Sequence, residues 1–245
     1  MTKRPSLTER PKDLINLEPS DKVDEGGERI VFVHPDNPKR LIKVIKPRHK
    51  DEFHRWTFGH LTQRYFPSAR WRPTIKQYHE YLRLMLQQDY DPAFKLPISH
   101  LYGFVKTNLG LGCITERVTD DAGTNAPTLA KLVSGGLLSQ SDLDDFNAYV
   151  ATLYEISVCV GDVGSANFVY GYRHIGQAGD VSGPEWVLID GFGDRFAVPV
   201  RTISRTARRL GLDDAFKRKP PVAGLKWIAR ERRYVFADTY LPTEV

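Results

Sequence analysis

Three oxygen-bearing side chains in the second half of the chain have the types and the spacing of a phosphoryl-transfer site. Asp162 and Asn167 lie five residues apart in GDVGSANFVYG, and Asp190 follows the apolar run of WVLIDGFGD. A carboxylate in such a loop can accept the proton of a substrate hydroxyl. Amide and carboxylate oxygens bind Mg²⁺ together with substrate phosphates. The pattern predicts a catalytic base at Asp162 and metal ligands at Asn167 and Asp190.

Asp190 also has a simpler interpretation, because a strand that ends on a carboxylate before Gly191-Phe192-Gly193 is typical of an exposed turn. Two features favour an inward-facing carboxylate. The residues before it are apolar, and it follows Asp162 and Asn167 in the order of a phosphoryl-transfer site. A buried carboxylate is costly unless a cation or hydrogen bonds compensate, so an inward-facing Asp190 needs such a partner. We expect residues 187–189 to form a buried strand and Asp190 to converge with Asp162 and Asn167.

The elements upstream contain residues suited to nucleotide phosphates. Residues 22–46, KVDEGGERIVFVHPDNPKRLIKVIK, predict a strand, a turn at Gly26-Gly27, a strand over 29–33, a proline-bounded turn and a strand over 41–45. Lys43 is flanked by apolar residues on the last strand. Its ammonium group therefore either reaches water at an edge or meets an anion in a cleft.

Helical periodicity follows over residues 74–88, where Ile75, Tyr78, Leu82 and Met85 share one face. Glu80 is the only acidic residue of this segment. Gln77 lies one turn earlier on nearly the same face, so either residue is a candidate partner of Lys43.

The second half of the chain reads as mainly helical. Residues 128–137 and 141–157 predict helices, the latter with a capping box of Ser141 and Asp144. A basic helix is expected from about residue 201 to 210.

The order of these features is the order found in kinases: glycine turn, strand lysine, helix, crossover, Asp-x₄-Asn loop and a strand that ends on Asp. We predict an α+β protein with a bilobal, protein-kinase-like fold. Its small β-rich N-lobe has one main helix, and its reduced C-lobe is mostly helical. The expected segments are a polar arm (1–20), an N-lobe (21–112) with a basic aromatic insertion (47–73), a crossover (113–118) and a C-lobe (119–245) with a basic C-terminal segment.

The same segments resemble the YrbL family of PhoP regulatory network proteins, which have a protein-kinase-like fold. The similarity is closest in GGERIVFVHPDNPKRLIKVIK, GDVGSANFVYG and VLIDGFGD. The resemblance implies ATP and Mg²⁺ as cofactors. It implies that Lys43 contacts nucleotide phosphates, that Asp162 is the base and that Asn167 and Asp190 bind the metal.

Further cofactor-binding roles follow from the same resemblance. Gly26 and Gly27 would cover the phosphates, and backbone groups near Glu116 and Val118 would meet adenine. Glu80 is our choice as the partner of Lys43.

Departures from the kinase pattern leave two functions open. The expected Asp-Phe-Gly is stretched to Asp-Gly-Phe-Gly, and Gly164 stands where kinases often place a cation near the transferred phosphate. One missing cation costs about 2.7–4 kcal/mol of transition-state stabilisation if it resembles the loss of one oxyanion-hole donor. The chain is then either a phosphotransferase acting on a hydroxyl of a small-molecule or glycolipid-type acceptor, or a nucleotide-binding pseudokinase or regulatory module. Gly161-Asp162 is closer to the loops of small-molecule kinases than to those of protein kinases.

Composition limits the surroundings of the protein. No apolar run approaches the roughly 20 residues that span a bilayer, and the first residues, MTKRPSLTERPKD, lack the apolar core of a secretion signal. Cys113 and Cys159 lack metal-site spacing. We expect a cytoplasmic protein.

Positive charge is concentrated in two stretches. Residues 195–245 contain twelve Lys and Arg against five acidic residues, and residues 39–76 contain eleven against two. These stretches are either solvated faces or surfaces for an anionic partner such as a nucleic acid or a lipid headgroup. The aromatic and basic residues of 47–73 predict either a small helical subdomain or a base-stacking surface.

Overall fold

The computed structural model describes most of the chain, and its described residues divide into two compact units. The described ranges are 14–26, 28–46, 70–91, 94–175, 183–194, 204–218 and 222–240. The first unit comprises the described residues up to 46 together with His100–Arg117, and the second comprises the others. One boundary falls between Arg117 and Val118, inside the predicted crossover.

The first unit is an antiparallel sheet of five strands. They are β1 (Lys22–Glu25), β2 (Arg29–Val33), β3 (Arg40–Ile45), β4 (Leu101–Thr107) and β5 (Gly110–Glu116). Their spatial order is β1-β2-β3-β5-β4. The strands predicted at 29–33 and 41–45 are thus confirmed, since β-branched residues alternate there between the two faces of the sheet.

One face of this sheet carries the core of the first unit. Ile42 and Val44 of β3 pack with Phe32 and with Leu17, which lies before β1. Ile15 packs against this cluster. Its amide donates to the carbonyl of Lys106 at 2.9 Å. We expected residues 1–20 to form a polar arm. The described part of that segment, residues 14–20, belongs to the first unit.

The second unit contains four helices among its described residues: α1 (Arg72–Tyr90), α2 (Leu129–Ser134), α3 (Gln140–Ile156) and α4 (Arg205–Arg218). The capping box of α3 consists of Ser139 and Asp142, not Ser141 and Asp144. The helix therefore begins one residue earlier than expected. The division into units places α1 in the second unit, whereas the predicted N-lobe includes it.

Helix α1 buries its polar face. Thr74, Gln77 and Glu80 are buried with Leu84, whereas Ile75 and Leu82, on the face expected to be apolar and packed, are each 58 % exposed. The periodicity identified the helix but not the face that packs. The reason is that buried hydrogen bonds within the second unit hold the polar face inward, as the site geometry below shows.

Two short hairpins complete the second unit. Strands β6 (Phe168–Gly171) and β7 (Glu185–Leu188) pair antiparallel, as do β8 (Leu225–Ile228) and β9 (Arg233–Phe236). Val187 and Leu188 are fully buried. The expected buried strand over 187–189 is therefore confirmed for two residues, while Ile189 follows the end of β7 and is half-buried.

The hairpin β8–β9 packs on α3 through paired hydrogen bonds. The side chain of Asn147 donates to the carbonyl of Tyr234 at 2.9 Å and accepts from its amide at 2.7 Å. The Tyr234 ring lies 5.9 Å from the Phe146 ring and 4.9 Å from the Trp227 ring. Burial raises the pKa of the Tyr234 hydroxyl to about 12. This hairpin is therefore an integral part of the second unit.

We expect Asn147→Ala to lower the free energy of unfolding by about 1–3 kcal/mol, because it leaves two backbone groups of Tyr234 without their partners. Urea unfolding measures the loss. Gln140→Ala is the matched control: it removes a 2.9 Å hydrogen bond to Asp144 from the exposed side of the same helix. The control should stay within about 0.5 kcal/mol of the unchanged protein. Equal losses in the two variants would contradict the structural role of Asn147.

The α+β class and the β-rich first unit are confirmed by these elements. Within the described residues, no helix combines the length and apolar character needed to cross a bilayer. Gly27, residues 47–69 of the insertion and much of the two basic stretches lie outside the described residues. The roles predicted for them stay predictions.

Candidate functional site

The loop after α3 carries Asp162 and Asn167 and is closed by its own hydrogen bonds. The amide of Gly164 donates to Asp162 Oδ1 at 2.8 Å, and the Asn167 side-chain amide donates to the Asp162 carbonyl at 3.3 Å. A 3₁₀ turn over Ser165–Asn167 leads into β6. These hydrogen bonds keep the loop from Asp162 to Asn167 compact, with a predicted site residue at each end.

Gly191 joins this loop to the corner after β7. Its carbonyl accepts from the amides of Gly161 at 2.7 Å and Asp162 at 2.9 Å. Its φ is +81°, and a Cβ placed on it would lie 2.2 Å from the Asp162 carbonyl oxygen and 2.9 Å from Asn167 Nδ2. Only glycine fits both the conformation and the space. The structure thus brings Asp162, Asn167 and the corner at Asp190 together within the second unit.

The corner continues inward after Gly191. Phe192 is buried and forms a β-bridge with Val160. The amide of Gly193 donates to the Cys159 carbonyl at 2.7 Å, and its φ is +101°. A Cβ on Gly193 would lie 2.7 Å from the backbone carbonyl of Lys76 in α1. The residue inserted relative to Asp-Phe-Gly therefore gives the corner two glycines, one against the loop and one against α1.

Asp190 is half-buried, and its carboxylate is oriented by two donors. The amide of Gly191 donates to Asp190 Oδ1 at 2.7 Å, and the side-chain amide of Gln77 donates to the same oxygen. Asp190 is not the exposed turn residue of the simpler interpretation. This contact was not predicted, because the sequence indicated Gln77 only as a candidate partner of Lys43. The only signal was a polar residue one turn before Glu80.

Glu80 has its own partners in the second unit and is 1 % exposed. One carboxylate oxygen accepts from the Cys159 amide at 2.7 Å and from Arg83 Nη2 at 2.7 Å, and the other accepts from Arg83 Nε at 2.9 Å. Burial, and after it the positive charge of Arg83, lowers the pKa of the nearby Arg208 guanidinium. Through the hydrogen bond from the Cys159 amide, Glu80 links α1 to the segment that leads into the Asp162 loop. Its predicted pairing with Lys43 stays a prediction.

Lys43 lies on the sheet face opposite the core of the first unit. It pairs across the strands with Val31 of β2 and Cys113 of β5, whereas its neighbours Ile42 and Val44 point into the core. Alternation along a strand places Lys43, Val31 and Cys113 on one face. The lysine therefore lies within a row of apolar residues, as its sequence context indicated.

The remaining predicted nucleotide-site residues take part in local backbone structure. The amide of Gly26 donates to the Arg29 carbonyl at 3.0 Å, which closes the turn between β1 and β2. Glu116 is buried; its amide donates to the His100 carbonyl at 2.9 Å and its carboxylate accepts from the His100 amide at 3.0 Å. The Val118 carbonyl accepts from Ala126 at 3.1 Å, and its side chain belongs to an apolar cluster of the second unit.

The donor set at the corner suits a hard cation in kind. Asp190 offers carboxylate oxygens and Asn167 an amide oxygen, and Mg²⁺ is commonly held by one or two such groups with water and substrate phosphates completing its shell. Across the described ranges, no group of three or more His, Cys, Asp or Glu side chains is arranged to hold a metal ion. That Asn167 and Asp190 bind a metal stays a prediction.

Comparisons with known proteins place the chain in a family. No curated protein matches it. Among solved structures, it is similar to Rad53 1-466 in complex with AMP-PNP, with 12 % identity over 70 % of this chain and 36 % of that chain and a TM-score of 0.34. The matched part thus spans about a third of that chain's length. The family model described as PhoP regulatory network protein YrbL matches residues 15–219, and the chain therefore belongs to this family.

Proposed function

We propose that this protein binds ATP with Mg²⁺ and transfers a phosphoryl group to a hydroxyl of a small-molecule or glycolipid-type acceptor. The observation that carries the proposal is the contact of Gly191 with Asp162 and Asn167. This contact packs the corner that follows Asp190 against the loop that carries Asp162 and Asn167.

Each residue has a separate task in the proposed reaction. The carboxylate of Asp162 accepts the proton of the acceptor hydroxyl. Asn167 and Asp190 supply oxygen ligands to Mg²⁺, whose chemistry is to neutralise charge on the phosphates. Lys43 contacts phosphate oxygens, Gly26 and Gly27 cover the phosphates, and backbone groups near Glu116 and Val118 meet adenine.

A nucleotide-binding regulatory module is the second candidate, and two observations favour it. Gly164 supplies no cation beside the transferred phosphate, and Asp162 Oδ1 already accepts the Gly164 amide at 2.8 Å. The missing charge slows the transfer without preventing nucleotide binding, and a carboxylate that already accepts a hydrogen bond has one lone pair fewer for the acceptor hydroxyl. The description of the family as a regulatory network protein supports the same candidate.

ATP turnover and ATP-dependent stabilisation, each with and without Mg²⁺, separate the two candidates. For the phosphotransferase we expect Asp162→Ala to lower turnover by about 10²–10⁴-fold, the typical contribution of a positioned base. ATP at a hundredfold excess over Kd stabilises the protein by about 2.7 kcal/mol in total, and we expect Asp190→Ala to abolish the part of this that depends on Mg²⁺. Asp121→Ala, at an exposed loop carboxylate, should change neither measurement.

The outcomes are distinct. Turnover that Asp162→Ala leaves unchanged would remove the base from the proposal. Mg²⁺-dependent stabilisation by ATP without turnover in the unchanged protein would establish the regulatory module instead. A protein that neither turns over nor is stabilised by Mg²⁺ and ATP would contradict both candidates.

A further inference from the structure

Helix α1 reaches the Asp190 corner through one buried side chain. Gln77 is 8 % exposed, and its side-chain amide donates to Asp190 Oδ1, the oxygen that also accepts from the Gly191 amide at 2.7 Å. Two donors on one oxygen leave the carboxylate little freedom to rotate. The direction of the other carboxylate oxygen is therefore set by α1 as well as by the corner's own backbone.

The backbones of α1 and the corner are also in direct contact at this point. A Cβ on Gly193 would lie 2.7 Å from the Lys76 carbonyl carbon and oxygen and 3.0 Å from the Gln77 amide nitrogen. This contact fixes how far the Gln77 side chain must reach. The hydrogen bond to Asp190 therefore lies at a close-packed junction of α1 with the corner.

We infer that Gln77 is a positioning residue that orients Asp190 for cation binding, an inference that rests on the proposed function. A neutral amide suits this role. It donates to the carboxylate without supplying a positive charge that would compete with the cation. Partners that orient a metal ligand typically change metal affinity by about 10–100-fold when they are removed.

Three variants isolate the effect. Gln77→Met keeps the length of the side chain and removes the donor. Gln77→Glu replaces the donor with a second carboxylate beside Asp190, which repels it in the absence of a cation and offers the cation another oxygen. Gln88→Met is the matched control, because it removes a 3.3 Å hydrogen bond to the Phe94 carbonyl from the same helix, away from the corner.

The full chain is titrated with Mn²⁺ in the presence of a non-hydrolysable ATP analogue. The concentration of free Mn²⁺ is measured from its electron paramagnetic resonance signal. The melting temperature is measured with and without Mn²⁺ on the same samples. We expect Gln77→Met to weaken Mn²⁺ binding by about 10–100-fold, and Gln88→Met to leave it unchanged. Gln77→Glu should lower the melting temperature without Mn²⁺ and regain more than the unchanged protein when Mn²⁺ is added.

Asp190→Ala separates failure of this inference from failure of the proposed function. If Asp190→Ala abolishes Mn²⁺ binding while Gln77→Met leaves it unchanged, Asp190 binds the metal and Gln77 does not position it. If Asp190→Ala leaves Mn²⁺ binding unchanged, the proposed metal site itself is wrong. Losses of the same size in Gln77→Met and Gln77→Glu, with no recovery by Mn²⁺, would reduce Gln77 to a packing role.

Discussion

Gly191→Ala is expected to destabilise the second unit by about 2–5 kcal/mol and to abolish Mg²⁺-dependent ATP binding. The conformation alone costs about 1–2 kcal/mol, because a Cβ is disfavoured at a φ of +81°. Forcing that Cβ away from the Asp162 carbonyl oxygen, 2.2 Å distant, adds about 1–3 kcal/mol of overpacking. The displaced groups are Asp162 and Asn167, so binding is lost with stability.

Gly123→Ala provides the control for this prediction. Gly123 has a φ of +76°, and a Cβ placed on it meets nothing within 4 Å. The substitution therefore carries the conformational cost of about 1–2 kcal/mol without the clash. Urea unfolding and a thermal-shift titration with Mg²⁺ and ATP measure both variants. Equal losses of stability in the two would show that the corner can move away from the loop, contrary to the packing described.

Glu80→Ala is expected to lower the free energy of unfolding by about 3 kcal/mol, the lower end of the cost of removing one partner of a buried ion pair, because the Arg83 side chain is 21 % exposed. It leaves the Arg83 guanidinium and the Cys159 amide without the carboxylate that accepts from both. Glu80→Gln keeps an acceptor and loses the charge, so we expect a smaller loss. Urea unfolding measures both.

Glu155→Ala, at an exposed glutamate of α3, is the control and should stay within about 0.5 kcal/mol. The same variants test the predicted pairing of Glu80 with Lys43. If Glu80 acts on the nucleotide through Lys43, Glu80→Gln and Lys43→Met weaken ATP binding to a similar extent. If Glu80 only fastens α1, Glu80→Gln leaves the ATP affinity of the folded protein unchanged while Lys43→Met lowers it.

Much of the local architecture followed from patterns within short segments. The alternation and the turns of residues 22–46 predicted β1, β2 and β3, because period-two burial and proline-bounded turns are local properties. The helices α1 and α3 were predicted within two residues at each end. The start of α3 differs because two possible caps lie close together: Ser139 and Asp142 form the capping box that Ser141 and Asp144 also permitted.

The sequence singled out residues that lie near one another in the structure, but not the contacts between them, and their roles stay predictions. Spacing and order alone singled out Asp162, Asn167 and Asp190, and the sequence also determined the family and the α+β class. Only the tertiary structure decided that α1 turns Gln77 and Glu80 inward and leaves Ile75 and Leu82 exposed. The physical reason is that hydrophobic periodicity shows only which face of a helix is more apolar and so more often buried. Hydrogen bonds from Gln77 to Asp190 and from Cys159 to Glu80 join residues 113 and 79 positions apart in the sequence, and they override that preference only once the chain is folded.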